Sequence, residues 1–281
     1  MRFSILLVAL LALPSGAFAS ACLTFVENWP GKVQLVSLDG FALAAKGAAP
    51  TTISYVSHST FRIETPEDVV IATDYFGANG EGRLPDVVTM NHAHATHYTD
   101  YPDKRIPHVL RGWKEGGKAE HYLALRDVLV RNIPTDLRSF GFEADGNSIF
   151  VFEIGELCIG HLGHLHHEPS EQHYAEIGRL DVVMAPVDGT YTLNLQQMVR
   201  VLKRFKSRIV LPMHAFSPSG LQRFLIGMED EFDIRIEASN SIQVSEDTLP
   251  TKPTVIVLPS GFITTPYDEF LTLKQLQMIH L

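Results

Sequence analysis

The stretch Asp86-Val87-Val88-Thr89-Met90-Asn91-His92-Ala93-His94-Ala95-Thr96-His97 decides the fold. Its first half, DVVTMN, is a short apolar run of the kind that forms a buried strand. Three imidazoles follow directly. On an extended backbone, residues i and i+2 point the same way, so His92 and His94 are expected to grip one ion together. His97 lies past the point where the chain must turn, and its ring is expected to face a neighbouring position. Imidazoles at this spacing at a strand end are metal-ligand chemistry. A single histidine there would be read as a solvated loop residue; the pattern is not.

Two further stretches repeat the arrangement. Cys158-Ile159-Gly160-His161-Leu162-Gly163-His164 ends an apolar strand in a glycine-flanked turn, and Leu211-Pro212-Met213-His214 ends another. Around them, Thr51–Ser57, Thr60–Glu64 and Val69–Thr73 read as strands rich in Val, Ile, Thr and aromatics. Val128–Ile133 alternates weakly, and Ser148–Glu153 with Glu156–Ile159 reads as a hairpin. Pro169–Gly178 and Leu221–Glu229 read as helices. Asn194–Phe205 places Leu195, Met198, Val199, Leu202 and Phe205 on one helical face. Strands Asp181–Val187 and Arg208–Leu211 bracket it as a β-α-β unit. Asp233–Glu237 and Thr254–Leu258 read as strands and Asp268–His280 as a last helix. Strands first, then alternating strand and helix, indicate a layered α/β architecture.

The set HxHxxH, HLGx and PMH, in this order, resembles the metallo-β-lactamase superfamily, in the compact branch that contains ascorbate phosphate lactonase and many uncharacterised hydrolases. Val56-Ser57-His58-Ser59-Thr60-Phe61, Ile71-Ala72-Thr73-Asp74, Pro85-Asp86-Val87-Val88, Leu180-Asp181-Val182-Val183 and Pro186-Val187-Asp188-Gly189 also fit. The resemblance runs from about residue 51 to 258. It implies a four-layer αββα sandwich with a dinuclear zinc site in a cleft at the sheet edges. It implies that His92, His94 and His161 hold a first metal and that His97 and His214 help hold a second. Asp74 would orient the metal loop by hydrogen bonds from behind the ligands, and His58 would sit near the cleft.

The sequence departs from that family at two positions. The family pattern is HxHxDH, and Thr96 stands where the Asp belongs. The turn after the second strand is normally HLGD, and His164 stands where an Asp would bridge both metals. Two dications about 3.5 Å apart repel by roughly 20 kcal/mol at an effective dielectric of about 20, as an upper bound. Neutral imidazoles do not offset that by charge. The open outcomes are one metal on His92, His94 and His161, a weak second metal on His97, His164 and His214, or another metal such as iron, manganese or copper. Thr96 cannot ionise, so a general acid or base is expected from His58, His164 or Asp188. His166 and His167 read as solvated, and His173, His108, His121 and His280 as structural or surface residues.

The chain has 281 residues, 45% hydrophobic and 20% charged, which excludes a disordered or fibrous protein. A net charge of −9 argues against general nucleic-acid affinity. Two cysteines, Cys22 and Cys158, exclude a four-Cys zinc module. No GxGxxG, GxxxxGK[ST] or GxSxG pattern occurs. Residues 1–19 read as a secretory signal: basic Arg2, an apolar run Ile5–Leu13, and Ala17-Phe18-Ala19 for cleavage. Residues 20–281 are then expected to form one domain, periplasmic or secreted, with no stable membrane insertion. Acylation of Cys22 as a lipoprotein is the lesser alternative, and export permits a Cys22–Cys158 disulfide. The sequence leaves oligomeric state open. The function expected is hydrolysis of a small ester, lactone or phosphoester by a metal-bound hydroxide. The alternatives are a non-catalytic metal-binding protein on the same fold, or a histidine-ligated redox centre.

Overall fold

The computed structural model describes residues 20–23, 49–138 and 141–261; the expected signal segment and the expected helix Asp268–His280 lie outside the described residues. The strands are β1 (Thr51–Ser57), β2 (Thr60–Glu64), β3 (Val70–Ala72), β4 (Val87–Met90), β5 (His108–Arg111), β6 (Tyr122–Leu125) and β7 (Val128–Leu137). They continue with β8 (Glu143–Ile154), β9 (Leu157–His161), β10 (Val182–Pro186), β11 (Ile209–Met213), β12 (Asp233–Ile236), β13 (Ser241–Val244) and β14 (Thr254–Val257). The helices are α1 (Glu171–Ile177), α2 (Leu195–Phe205) and α3 (Pro218–Met228).

The strands form two mixed sheets, ordered β13-β1-β2-β3-β4-β5 and β12-β14-β11-β10-β9-β8-β7-β6. Antiparallel β8 and β9 are joined through Gly155 in the left-handed region, a tight hairpin of the expected kind. Strands β9, β10, β11, β14 and β12 run parallel. The segments VVMAP, IVLPM and TVIV are buried throughout, as strands covered on both faces must be. Helix α2 forms the expected crossover from β10 to β11. Asn194 caps it by accepting from the Gln197 amide, and it buries Met198, Val201 and Leu202. Ser170 and Ser217 cap α1 and α3 in the same way.

Phe61 and Ile63 of β2 and Phe150 and Phe152 of β8 belong to one continuous buried apolar cluster that spans both sheets. The result is an α/β sandwich. All three described α-helices connect strands of the eight-stranded sheet, and no described α-helix connects strands of the other. No described helix is long and apolar enough to cross a membrane. Cys22 and Cys158 form a disulfide, which fastens the segment beginning at Ser20 to β9. Strands β5, β6 and β13 are additions to the sequence expectation. Parallel β9, β10 and β11 all end at one sheet edge, the usual place for a ligand site in such sheets.

Candidate metal centre

Four segments meet at that edge: 91–97 after β4, 162–166 after β9, 187–192 after β10 and 214–217 after β11. The side chains of His58, His94, His97 and His214 each offer a nitrogen, and these atoms all lie within 4.8 Å of one another. His164 joins them, with ring centroids 5.0, 4.8 and 5.0 Å from those of His94, His97 and His214. Imidazoles from four parts of the chain therefore converge.

Each ring except that of His58 has its Nδ1 engaged in a hydrogen bond that the structure defines. His97 Nδ1 meets Asp74 Oδ2 at 2.5 Å, His214 Nδ1 meets Asp188 Oδ1 at 3.0 Å, His94 Nδ1 meets Thr96 Oγ1 at 2.8 Å, and His164 Nδ1 meets His166 Nε2 at 2.7 Å. The Nε2 atoms of His97, His164 and His214 are buried and have no hydrogen-bond partner. Buried polar atoms are rarely left unpaired. An imidazole whose Nδ1 is held from behind and whose Nε2 points into a shared space is the arrangement of a metal ligand. Tetrahedral bonds of about 2.0–2.1 Å place donors about 3.4 Å apart, so nitrogens separated by as much as 4.8 Å would draw together by about an ångström or more around an ion. The donor set fits a divalent cation.

The electrostatics agree. Burial, and then the neighbouring His214, hold His94 at about 4. Burial followed by repulsion among the rings pushes His58, His97 and His164 well below the ordinary histidine value. His58, His94, His97 and His164 are thus neutral at neutral pH, the state that binds metals. His58, Asp74 and His214 have positive φ values of 47°, 41° and 56°. A non-glycine residue there costs about 1–3 kcal/mol, and such strain concentrates at functional sites.

The expected first-metal set is not the group the fold brings together. Strand β4 ends at Met90 and the chain bends, so His92 and His94 do not share a strand face. His92 turns outward. Its ring stacks on Trp113, and Nδ1 pairs with Glu143 Oε1 at 2.7 Å. His161 sits inside β9 with both nitrogens used: Nε2 donates to the Ser59 carbonyl at 2.8 Å, and Nδ1 accepts from the Gly163 amide at 3.1 Å. Asp188 is also not free to act as a base. Its two oxygens accept from the Thr190, Tyr191 and Thr192 amides and the Thr190 and Thr192 hydroxyls besides His214. Burial pushes its carboxyl up, but the bonds from His214, Thr192 and the Thr190 amide outweigh this and hold it well below the usual carboxylate range.

The structure adds residues that the sequence did not single out. Asn91 donates Nδ2 to Asp74 Oδ1 at 2.8 Å and accepts the Ser148 amide at 2.7 Å. Asn147 accepts the His164 amide at 2.7 Å and donates to Thr135. Asn91 ties the two sheets together beneath the histidines, and Asn147 ties β7 and β8 to the loop that carries His164. An Asn at the end of or inside a strand carries no periodic signal, so these roles appear only in the fold. His166, read as solvated, is half-buried and touches the group through His164. On the open side Phe216 packs against the His214 ring at 4.5 Å, and exposed Tyr191 packs edge-on to Phe216.

Two mixed sheets with a polyhistidine group at the strand ends define a protein of the metallo-β-lactamase fold class. The chain belongs to the family described as the beta-lactamase superfamily domain, whose model matches residues 52–214. It is 24% identical over 211 residues to a UPF0173 metal-dependent hydrolase of Salinibacter ruber, covering 64% of this chain and 92% of that one. It is 26% identical over 178 residues to a UPF0173 protein of Pyrococcus abyssi, covering 58% and 82%. Among solved structures, one from Thermotoga maritima, assigned as a Zn-dependent hydrolase of the metallo-beta-lactamase superfamily, matches with a TM-score of 0.56 and 25% identity. That match covers 74% of this chain and 98% of the other.

Proposed function

We propose that this protein is a metal-dependent hydrolase of a small ester, lactone or phosphoester. The observation that carries the reading is the group of His58, His94, His97 and His214, whose ligand nitrogens lie within 4.8 Å of one another, with the Nε2 atoms of His97 and His214 buried and unpartnered. His94, His97 and His214, with His58 beside them, would hold the ion. A divalent cation there supplies Lewis-acid polarisation of a carbonyl or phosphoryl oxygen and acidifies water. The chain's own residues do the rest. Asp74 and Asp188 fix the rings of His97 and His214. Thr96 occupies the position of an ionisable group without being one, and instead braces His94. His164, left outside the four-ring group and held neutral by burial, offers Nε2 as a hydrogen-bond acceptor to water or substrate, while its Nδ1 contact with His166 fixes the ring. Phe216 and Tyr191 form an apolar wall for the part of the substrate that does not react.

The test is hydrolysis of an activated ester such as 4-nitrophenyl acetate by protein loaded with zinc, manganese or iron. Turnover is expected, lost on chelation and in His94→Ala. In His166→Ala, kcat should fall while bound metal is unchanged. Absence of turnover with every metal refutes the reading.

A further inference from the structure

The sequence lacks both carboxylates that the superfamily pattern places on the metals, yet two buried carboxylates stand one hydrogen bond further out. Asp74 backs His97, and Asp188 backs His214. Asp188 is the less expected of the two. It opens the loop Asp188-Gly189-Thr190-Tyr191-Thr192, whose three last amides and two hydroxyls all turn toward its carboxylate. A carboxylate offers about four lone-pair directions. Here five loop donors crowd around them and leave the group almost no freedom to rotate. The sixth contact, Oδ1 to His214 Nδ1, is the one that leaves the loop.

His214 needs such a restraint. Its backbone is left-handed, its ring is buried, and its Nε2 has no protein partner. A neutral imidazole can carry its proton on either nitrogen. With the proton on Nε2, the lone pair would face Asp188 and an N–H would face the shared space, which closes the position to a cation. The immobilised carboxylate excludes that arrangement, because it accepts and cannot donate.

We propose that Asp188 is a positioning residue: by accepting the Nδ1–H of His214 it fixes the tautomer and rotation that present Nε2 to the histidine group. This rests on reading that group as a metal seat. A loop built only to turn the chain would need the amide contacts but not the contact to His214. Thr192 separates the two roles, since its hydroxyl anchors the same carboxylate oxygen without touching the ring.

The experiment compares wild type, Asp188→Asn and Thr192→Val as full chains. One readout is nitrogen NMR of the imidazoles in metal-free protein. Wild type and Thr192→Val should show His214 protonated at Nδ1, and Asp188→Asn should show a mixture or the other tautomer. The second is zinc and cobalt affinity by competition with a chromophoric chelator. Asp188→Asn should bind about 10–100-fold more weakly, with a changed cobalt spectrum, while Thr192→Val stays near wild type. Should Asp188→Asn fail to fold, Asp188→Glu keeps the charge, displaces the oxygens and should also shift the cobalt spectrum. The proposal is overturned if His214 keeps the Nδ1 proton in Asp188→Asn with affinity unchanged, or if Thr192→Val loses as much affinity. If wild type takes up neither metal, the metal-seat reading fails by itself, and the tautomer measurement alone decides the role of Asp188.

Discussion

Replacing Gly163 with alanine tests whether the asparagine seam beneath the histidines is as rigid as the geometry requires. Gly163 lies between His161 and His164 with φ +59°, and a Cβ built there would sit 2.4 Å from both Asn147 Oδ1 and Asn91 Nδ2. Both atoms are committed: the first accepts the His164 amide, and the second donates to Asp74. A left-handed alanine costs about 1–2 kcal/mol. Displacing either amide leaves buried groups unpaired at about 1–3 kcal/mol each. The expected loss is therefore about 3 kcal/mol or more, a large share of a typical stability of about 5–15 kcal/mol. Gly116 supplies the control. It has φ +73° with nothing within 4 Å of a Cβ, so Gly116→Ala isolates the backbone cost. Urea unfolding of the two variants gives the difference directly, and zinc uptake shows whether His164 and the Asp74–His97 pair have shifted. If Gly163→Ala costs no more than Gly116→Ala and binds zinc normally, the seam is pliable and the reasoning fails.

Two other predictions follow from the same geometry. His92→Ala should leave zinc binding nearly unchanged while His97→Ala and His214→Ala abolish it, because His92 pairs with Glu143 outside the group; equal losses in all three by chelator competition would contradict this. Stability of the metal-free protein should fall steadily as pH drops from about 6.5 to about 4. His94 and His161 stay neutral in the fold down to about 4, while unfolded histidines take up protons from about 6.5. The unfolded state then binds more protons across that window, so stability rises with pH. A flat or inverted profile of Tm against pH there would contradict the assignment.

Most strands, and the meeting of histidines from the segments after β4, β9 and β11, were legible because period-two apolar runs and histidines at strand ends are local signals; the partition of His94 from His97 and His214 into separate sets is not what the fold shows. β1 and β2 fall where the sequence placed them. β5 and β13 carry polar residues at exposed edges, and β6 is a short surface strand, so none shows a pattern of its own. His92 was misplaced because equal facing of i and i+2 holds only while the chain stays extended, and β4 stops before it. His161 was misplaced because a strand-end histidine looks the same whether it faces the cleft or, as here, bonds to the Ser59 carbonyl. The roles of Asn91, Asn147 and Asp188 depend on which distant loop lies opposite, which a single sequence does not encode locally.

The bond between Cys22 and Cys158 has a chemical corollary. A sulfur atom in a cystine has no valence left for a thioether, so the bridged chain and one carrying a diacylglycerol on Cys22 are mutually exclusive molecules. Only the bridged chain retains the covalent clasp on the strand that leads into His161 and His164.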